Sequence, residues 1–279
     1  MECKTFFRII LIFLAMYSNG KLNAQKYRIL YSMQFKADST AKDLTKKEML
    51  LDIDGEISRF YSYKLFKSDS TFISNEKSGR EAIHKSMDYE FMTIKNKKPG
   101  QISKFYRLLI DVYELKEAMP ILQWKITNDT KMIHNNKCQK ALLDYKGRKW
   151  EAWFAVDIPI SEGPSVFNGL PGLIVSISDS TGSYSFNLLE LKKKEENIYT
   201  SNNLSVKTIP VNLQQLHKLY LDHYNDPYRE IKSGYVKAKF VDQSGKEITP
   251  NFNEQTKNKQ IILKQTNNPI ELSEAVQYP

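Results

Sequence analysis

The sequence predicts an α+β protein that is mainly antiparallel β, with a twisted sheet or half-barrel and one or two helices packed on it. Three observations support this prediction. The 279 residues include 16 Tyr and 14 Phe, which favour strands. Many short segments alternate apolar and polar residues between turn signals. By contrast, a single segment has a convincing helical spacing of apolar residues.

The composition is that of a globular protein. With 41% hydrophobic and 26% charged residues, the chain is too apolar to be disordered, and its 11 Gly and 10 Pro are too few for a fibrous chain. The formal net charge of +9 falls to about +7 without residues 1–24. Because those residues predict export, we expect no nucleic-acid partner. The positive charge then has two competing interpretations: it keeps the protein soluble, or it binds an anionic surface of the cell envelope.

Residues 1–24 have the pattern of a secretory signal peptide. Lys4 and Arg8 flank the start of an apolar run over residues 9–16, and the leader ends with Ala24. The run is much shorter than the roughly 18 residues of a membrane helix, and no later segment approaches that length. We therefore expect cleavage near Ala24 and a periplasmic or secreted protein that does not span the membrane. Residues 25–279 are expected to form a single β-rich domain, with a polar, flexible C-terminal part from about residue 232.

The first half of the chain predicts several strands. The best candidates are residues 26–36, 49–53 and 59–66, with Asp54-Gly55 as a turn. The tetrapeptide Ser78-Gly79-Arg80-Glu81 resembles a capping box and predicts a short helix to about residue 87. Weaker strand candidates follow at residues 89–94, 103–115 and 122–127.

The second half of the chain predicts clearer elements. Residues 140–145 and 149–157 form strands around a Gly147-Arg148 turn, and residues 173–178 and 183–191 flank a hairpin turn. Trp150 and Trp153 fall on opposite faces of their strand, so one belongs to the core and the other lines a concave or partner-binding surface, unless both simply pack. Asn212 caps the convincing helix, which ends near residue 224.

The sharpest local signal is the segment from Gly163 to Ile174. Gly163-Pro164 predicts a bend, and Leu170-Pro171-Gly172-Leu173 suits a type II turn with positive φ at Gly172. A phosphate-binding loop is a poor alternative, because no Lys-Ser/Thr pair follows and the next element is a strand.

This segment contains the hexapeptide Gly-Leu-Pro-Gly-Leu-Ile at residues 169–174, and the chain resembles the GLPGLI family of exported Bacteroidetes-type proteins. Further blocks resemble the family, namely residues 51–61, 137–141, 147–154, 157–160, 163–164 and 268–272. The resemblance implies no known activity, cofactor or catalytic residue, but it suggests an association with TonB-dependent outer-membrane transport. The signature residues whose role is unknown are Cys138, Trp150, Trp153, Gly163, Pro164, Gly169, Leu170, Pro171, Gly172, Leu173 and Ile174.

No catalytic, cofactor or metal site is predicted. His217 and His223 lie on one helix but are separated by about 240° around its axis, so they cannot share a metal ion. Cys138 has His134 nearby, yet four residues along a strand span about 13 Å, which makes a catalytic dyad poor. We expect Cys138 to be a small buried apolar residue, with an intermolecular disulfide as the alternative.

The tripeptide Asp-Ser-Thr occurs three times and resembles an O-glycosylation sequon of exported Bacteroidetes proteins. The candidate sites are Ser39, Ser70 and Ser180, all in predicted turns. Ordinary turn chemistry is the competing interpretation, because Asp and Ser side chains bond to the nearby backbone.

Three functions compete at this point. The first is a non-enzymatic accessory or binding protein of the cell envelope, linked to an outer-membrane transporter or carrying a lipid or peptide ligand. The second is an envelope hydrolase acting on glycan or peptide, and the third is a structural subunit held by Cys138 or by residues 163–174. An apolar cavity favours the first, converging carboxylates in a cleft favour the second, and a flat exposed patch at the hexapeptide favours the third.

Overall fold

The computed structural model describes residues 26–81, 88–194 and 207–279. The predicted signal peptide lies outside the described residues. The strands are β1 (Lys26–Phe35), β2 (Thr45–Asp54), β3 (Ile57–Ser62), β4 (Thr93–Asn96), β5 (Gln101–Leu108), β6 (Asp111–Ala118), β7 (Lys125–Ile133), β8 (Asn136–Tyr145), β9 (Arg148–Ala155), β10 (Leu173–Asp179), β11 (Tyr184–Lys194) and β12 (Thr208–Val211). The helices are α1 (Tyr63–Lys77), α2 (Leu213–Asn225), α3 (Arg229–Lys232) and α4 (Phe252–Gln265), with a 3-10 turn at Leu272–Glu274.

Within the described residues, twelve strands form one open sheet. Their order is β12-β6-β5-β4-β3-β2-β1-β11-β10-β9-β8-β7. Every neighbouring pair is antiparallel except β12 and β6, which are parallel. Two meanders, β1–β6 and β7–β11, therefore meet along the β1–β11 ladder, and β12 and β7 form the two edges. This confirms the α+β, mainly antiparallel class, although the four helices exceed the one or two that the sequence predicts.

Two apolar clusters cover opposite faces of the sheet. Along β2, Met49, Leu51 and Ile53 belong to the larger cluster and Leu50 to the smaller one, as the alternation of side chains in a strand requires. The larger cluster also takes in the long connection between β9 and β10, whose Phe167 packs edge-on against Trp150 at a centroid distance of 4.6 Å. That connection is thus part of the core rather than a surface loop.

The region after β3 differs from its sequence prediction. The chain turns into helix α1 at Tyr63 instead of continuing as a strand to residue 66, because the Ser62 hydroxyl caps the helix by accepting from the Leu65 amide at 3.0 Å. Ser78 ends this helix, so the capping box predicted at Ser78 does not open one there. The remainder of that predicted helix, residues 82–87, lies outside the described residues.

Two further segments are more structured than expected. The predicted strand over residues 103–115 is the hairpin β5–β6, whose turn contains no Gly or Pro and places Leu109 at φ 57°. The second segment is the polar C-terminal part from about residue 232, which the sequence predicts to be flexible. Instead, it contains α4, and Asn268, Ile270, Glu271 and Val276 are buried. Composition misses this because polar contacts with distant strands hold these residues.

Helix α2 follows its prediction closely. Asn212 Oδ1 accepts from the Gln215 amide at 2.8 Å, and Gln215 Oε1 accepts from the Asn212 amide at 2.9 Å, so both bonds of the capping box form. None of the helices in the described ranges combines the length and the apolar character that crossing a membrane would demand.

Candidate ligand-binding cleft

A cleft of about 450 Å³ opens between the sheet and the C-terminal helices. Its walls come from β4 and β5, from α2 and α4, and from the segment over residues 266–278. Most of the lining is aliphatic or aromatic, including Phe35, Phe91, Val166, Tyr184, Leu213, Leu216, Tyr220, Leu263, Val276 and Tyr278. A volume of this size and an apolar lining are typical of small-molecule sites.

Helix α2 contributes one wall because of its sequence spacing. Leu213, Leu216, His217 and Tyr220 recur at intervals of three and four residues, so they share one face of the helix and all line the cleft. His223 lies on another face and lines a separate small pocket. The two histidines therefore do not meet, as predicted, and burial together with the Lys259 charge lowers the pKa of His223.

Arg148 fixes the C-terminal wall of the cleft. Its guanidinium is buried and donates to Asp179 Oδ2 at 2.9 Å, to Asn268 Oδ1, and to the carbonyl oxygens of Pro269 at 2.8 Å and Ile270 at 3.1 Å. The Tyr184 hydroxyl adds a bond to the Asn268 carbonyl oxygen at 2.6 Å. These contacts join the Gly147-Arg148 turn to residues 268–270, two blocks that are separated by about 120 residues in the sequence.

Beside that anchor, Lys104, Glu271 and Glu274 line one end of the cleft. Together with the adjacent Glu117 and Lys146 they form a charged cluster. Lys104 Nζ contacts Glu271 Oε2 directly and lies 2.7 Å from Glu117 Oε2 and 3.7 Å from Glu274 Oε2. Lys146 Nζ contacts Glu274 and lies 3.7 Å from Glu271. The cluster therefore holds three carboxylates and two ammonium groups.

The two neighbouring carboxyl groups of the cluster titrate in opposite directions. Burial would raise the pKa of Glu271, but the Lys104 charge and hydrogen bonds from Lys104 and from the Tyr145 hydroxyl at 2.6 Å bring it below its ordinary value. Burial and the adjacent Glu271 charge raise the pKa of Glu274. The two carboxyl groups therefore differ in acidity, an asymmetry that acid–base chemistry uses.

The same carboxylates are the best candidates for a metal site in the described part of the chain. One oxygen from each of Glu117, Glu271 and Glu274 lies within 4.8 Å of the others. However, Lys104 Nζ lies among these oxygens and already supplies a positive charge where a cation would bind. The arrangement is thus a lysine-neutralised carboxylate cluster, and it carries no argument for a metal.

The hexapeptide segment lies in the core, apart from the cleft's charged end. Of residues 163–174, Gly169 and Pro171 are exposed and Asn168 is partly buried, while the others are buried. Beneath the segment, Lys95 Nζ lies 2.6 Å from Glu162 Oε2 and donates to the carbonyl oxygens of Gly163 and Phe167 at 3.1 and 3.0 Å. Burial lowers the pKa of Lys95 against the opposing effect of Glu162. There is no flat exposed patch of the kind that a structural subunit would present here.

The reason for glycine at position 172 differs from the prediction. Gly172 does not have a positive φ, so the predicted type II turn is wrong, whereas the exposed Gly169 has φ 92°. A Cβ at Gly172 would lie 2.1 Å from the Ala155 carbonyl oxygen. A Cβ at Gly163 would lie 2.7 Å from Ile174 Cδ1. Both glycines allow close approach to neighbouring chain segments, which a sequence turn rule does not detect.

The other signature residues on this sheet are also packed. Trp150 and Trp153 occupy opposite faces of β9 but are only 2% and 9% exposed, which agrees with simple packing of both. Lys131 Nζ lies 3.9 Å from the Trp153 ring centroid and covers its outer face. Cys138 is fully buried as a free thiol, and burial raises its pKa. A disulfide to another chain would require this sulfur to become accessible.

The three Asp-Ser-Thr sites expose their serine side chains but differ in structure. Ser39 and Ser180 lie in turns as predicted. Ser70 lies within α1, so its predicted turn is wrong. Asp179 accepts from Arg148 and from the Tyr184 amide at 2.7 Å, which gives the third tripeptide a structural use.

Sequence reasoning missed the residues that form the charged cluster. Lys104, Glu117 and Glu274 carry no local motif, and Glu271 entered only as part of a family block. The three glutamates come from β6 and from the C-terminal segment, more than 150 residues apart. Only the tertiary fold brings them together.

These features define a protein with an open, mainly antiparallel sheet and a ligand-sized cleft between the sheet and C-terminal helices. A family model described as "Protein of unknown function (Porph_ging)" matches residues 144–176, which contain β9 and the complete hexapeptide segment. No curated protein matches the chain.

Solved structures resemble the fold. The structure of PNGF-II in the C2 space group has a TM-score of 0.50 at 18% sequence identity, and PNGF-II in the P21 space group has a TM-score of 0.50 at 16% identity. Both alignments cover 70% of this chain, but only 32% and 33% of the PNGF-II chains. This chain therefore spans about a third of their length, and the likeness concerns the fold alone.

Proposed function

We propose that the protein is an exported, non-enzymatic accessory protein of the cell envelope that holds a hydrophobic or peptide ligand in its cleft. The observation that carries this proposal is the cleft of about 450 Å³ with largely apolar walls. Removal of residues 1–24 near Ala24 would place it in the periplasm or outside the cell. The hexapeptide at residues 169–174 and its accompanying blocks favour membership of the GLPGLI family, and hence an association with TonB-dependent transport.

Native mass spectrometry of protein purified from the cells that export it tests this proposal. We expect a discrete added mass that denaturation releases. Leu213→Trp should abolish the added mass, because Leu213 is only partly buried and lines the cleft. Leu189→Trp is the matched control, since Leu189 is 50% exposed on β11. A bare mass for the unmodified protein, or an added mass that survives in Leu213→Trp, would contradict the proposal.

The second candidate function is an envelope hydrolase, and the opposite pKa shifts of Glu271 and Glu274 favour it. Incubation with cell-wall glycans and peptides, followed by measurement of new reducing ends and amino groups, tests it. Hydrolysis that is lost in Glu274→Gln and kept in Glu151→Gln would support the hydrolase, because Glu151 has an exposed side chain outside the cleft. Absence of any product from the unmodified protein would count against it.

A further inference from the structure

The walls of the cleft contain hydroxyl groups that lack protein partners. Among the residues that the structure describes, no hydrogen bond forms to the side-chain hydroxyls of Tyr106, Tyr220 and Tyr278, although all three residues line the cleft. Nearby tyrosines are different, since Tyr145 bonds to Glu271 and Tyr184 bonds to Asn268. Burial raises the pKa of Tyr220 and of Tyr278, so both phenols stay protonated and able to donate at neutral pH.

These hydroxyls disfavour an acyl chain as the ligand. Covering an unpaired hydroxyl with hydrocarbon is unfavourable, because the hydroxyl loses its hydrogen bonds to water and gains none in return. A chain of methylene groups along this wall would cover each tyrosine hydroxyl without offering it a hydrogen bond. A ligand that fits must therefore alternate apolar groups with hydrogen-bonding groups, as a peptide does.

The charged cluster adds a preference for positive charge. Its three carboxylates outnumber its two ammonium groups, although the chain as a whole carries a net charge of +9. Arg107 also lines the cleft, but it is three residues from Lys104 on β5, so its side chain projects from the opposite face of the strand, where it donates to the Leu109 carbonyl oxygen at 2.9 Å. At another part of the lining, Glu90 Oε2 is paired with Lys47 Nζ at 2.5 Å. A ligand amine would balance the extra carboxylate, whereas a fatty-acid carboxylate would add to the negative charge.

The aliphatic part of the lining argues against a glycan. Leu213, Leu216, Leu263 and Val276 present methyl groups, and the described lining contains no Trp on which a sugar ring could stack. Apolar side chains fit such walls better, because their burial against methyl groups removes apolar surface from water.

We propose that the cleft binds a short peptide, with apolar side chains against the aliphatic and aromatic walls and an amino group facing Glu271 and Glu274. The proposal rests on the ligand-binding function proposed above and names the chemical class of the ligand. The hydroxyls of Tyr106 and Tyr220 would bond to the peptide backbone.

Isothermal titration calorimetry with four probes tests this inference. The probes are the tripeptide amide Phe-Leu-Lys with a free amino terminus, its N-acetylated Phe-Leu-Gln counterpart, laurate and chitotriose. We expect the basic peptide to bind at least about ten-fold more tightly than each of the others, since a charge-assisted hydrogen bond contributes about 1.5–3 kcal/mol. Tyr220→Phe should weaken its binding about two- to ten-fold, as expected for one hydrogen bond. Tyr235→Phe should leave it unchanged, because Tyr235 is 70% exposed and does not line the cleft.

The outcomes separate this inference from the proposed function. Tighter binding of laurate or chitotriose than of the basic peptide would overturn the peptide assignment and leave a ligand-binding cleft. The same conclusion follows if no probe binds while the native mass spectrum still shows a carried molecule. If no probe binds and the mass spectrum is bare, both proposals fail. Equal binding of the two peptides would overturn the role assigned to the amino group.

Discussion

A single methyl group at Gly172 should destabilise the fold severely. The Cβ of Gly172→Ala would lie 2.1 Å from the Ala155 carbonyl oxygen, whereas ordinary contacts lie at 3.4–4 Å. The two backbones would have to separate by about 1.3 Å at the point where β9 and β10 pair Leu173 with Ala155. Overpacking of a core costs about 1–3 kcal/mol when side chains can shift. Here both atoms sit on rigid backbone, so we expect a loss of more than about 3 kcal/mol in the free energy of unfolding.

Urea denaturation followed by circular dichroism measures this loss. Gly169→Ala is the matched control, because Gly169 is exposed, its Cβ would approach nothing closer than 4.0 Å, and only its φ of 92° opposes the change. A left-handed backbone costs an alanine about 1–2 kcal/mol. Gly172→Ala should therefore be clearly less stable than Gly169→Ala.

A third variant separates the two explanations for glycine at position 172. If positive φ were the reason, Gly172→Asn would be tolerated, since Asn adopts the left-handed region more readily than other side chains. Close approach predicts that Asn is at least as damaging as Ala. Near-native stability of either variant would refute the close-approach reasoning.

The remaining predictions concern the cleft wall, its charged cluster and the buried thiol. Arg148→Met should cost about 3–5 kcal/mol in urea denaturation, because it leaves the Asp179 carboxylate buried without its cation; a loss below about 1 kcal/mol would contradict this. The raised pKa of Glu274 means that the folded protein holds this proton more tightly than the unfolded chain, so its contribution to stability falls as the pH rises from about 4.5 through that pKa. Glu274→Gln should remove that fall, which a comparison of unfolding free energies at pH 5 and pH 7 would show; a parallel pH dependence in both proteins would count against it. Cys138 should react with iodoacetamide only after unfolding, since it is buried and its pKa is raised. Rapid labelling of the native protein, read by mass spectrometry, would show that the thiol is accessible.

Local patterns predicted those elements whose stability depends on nearby residues. Both bonds of the Asn212 capping box join residues three apart, and the Asp54-Gly55 turn places Gly55 at φ 58° between β2 and β3. In such cases the interacting groups are neighbours in the sequence. The strand–helix switch at Ser62 was missed, because Ser62 caps α1 and the aromatic residues that follow it also suit a strand.

The sequence by itself determined the β-rich class, most strand positions and α2, since these follow from periodicity, turn chemistry and composition. Only the tertiary structure decided the cleft and its chemistry. Arg148 anchors residues 268–270 across about 120 residues of sequence, and Lys104 meets Glu271 across 167. Contacts over such distances depend on how the strands are ordered in the sheet, and no local pattern of side chains encodes that order. The same is true of Gly172, whose neighbour Ala155 becomes close only when β10 pairs with β9.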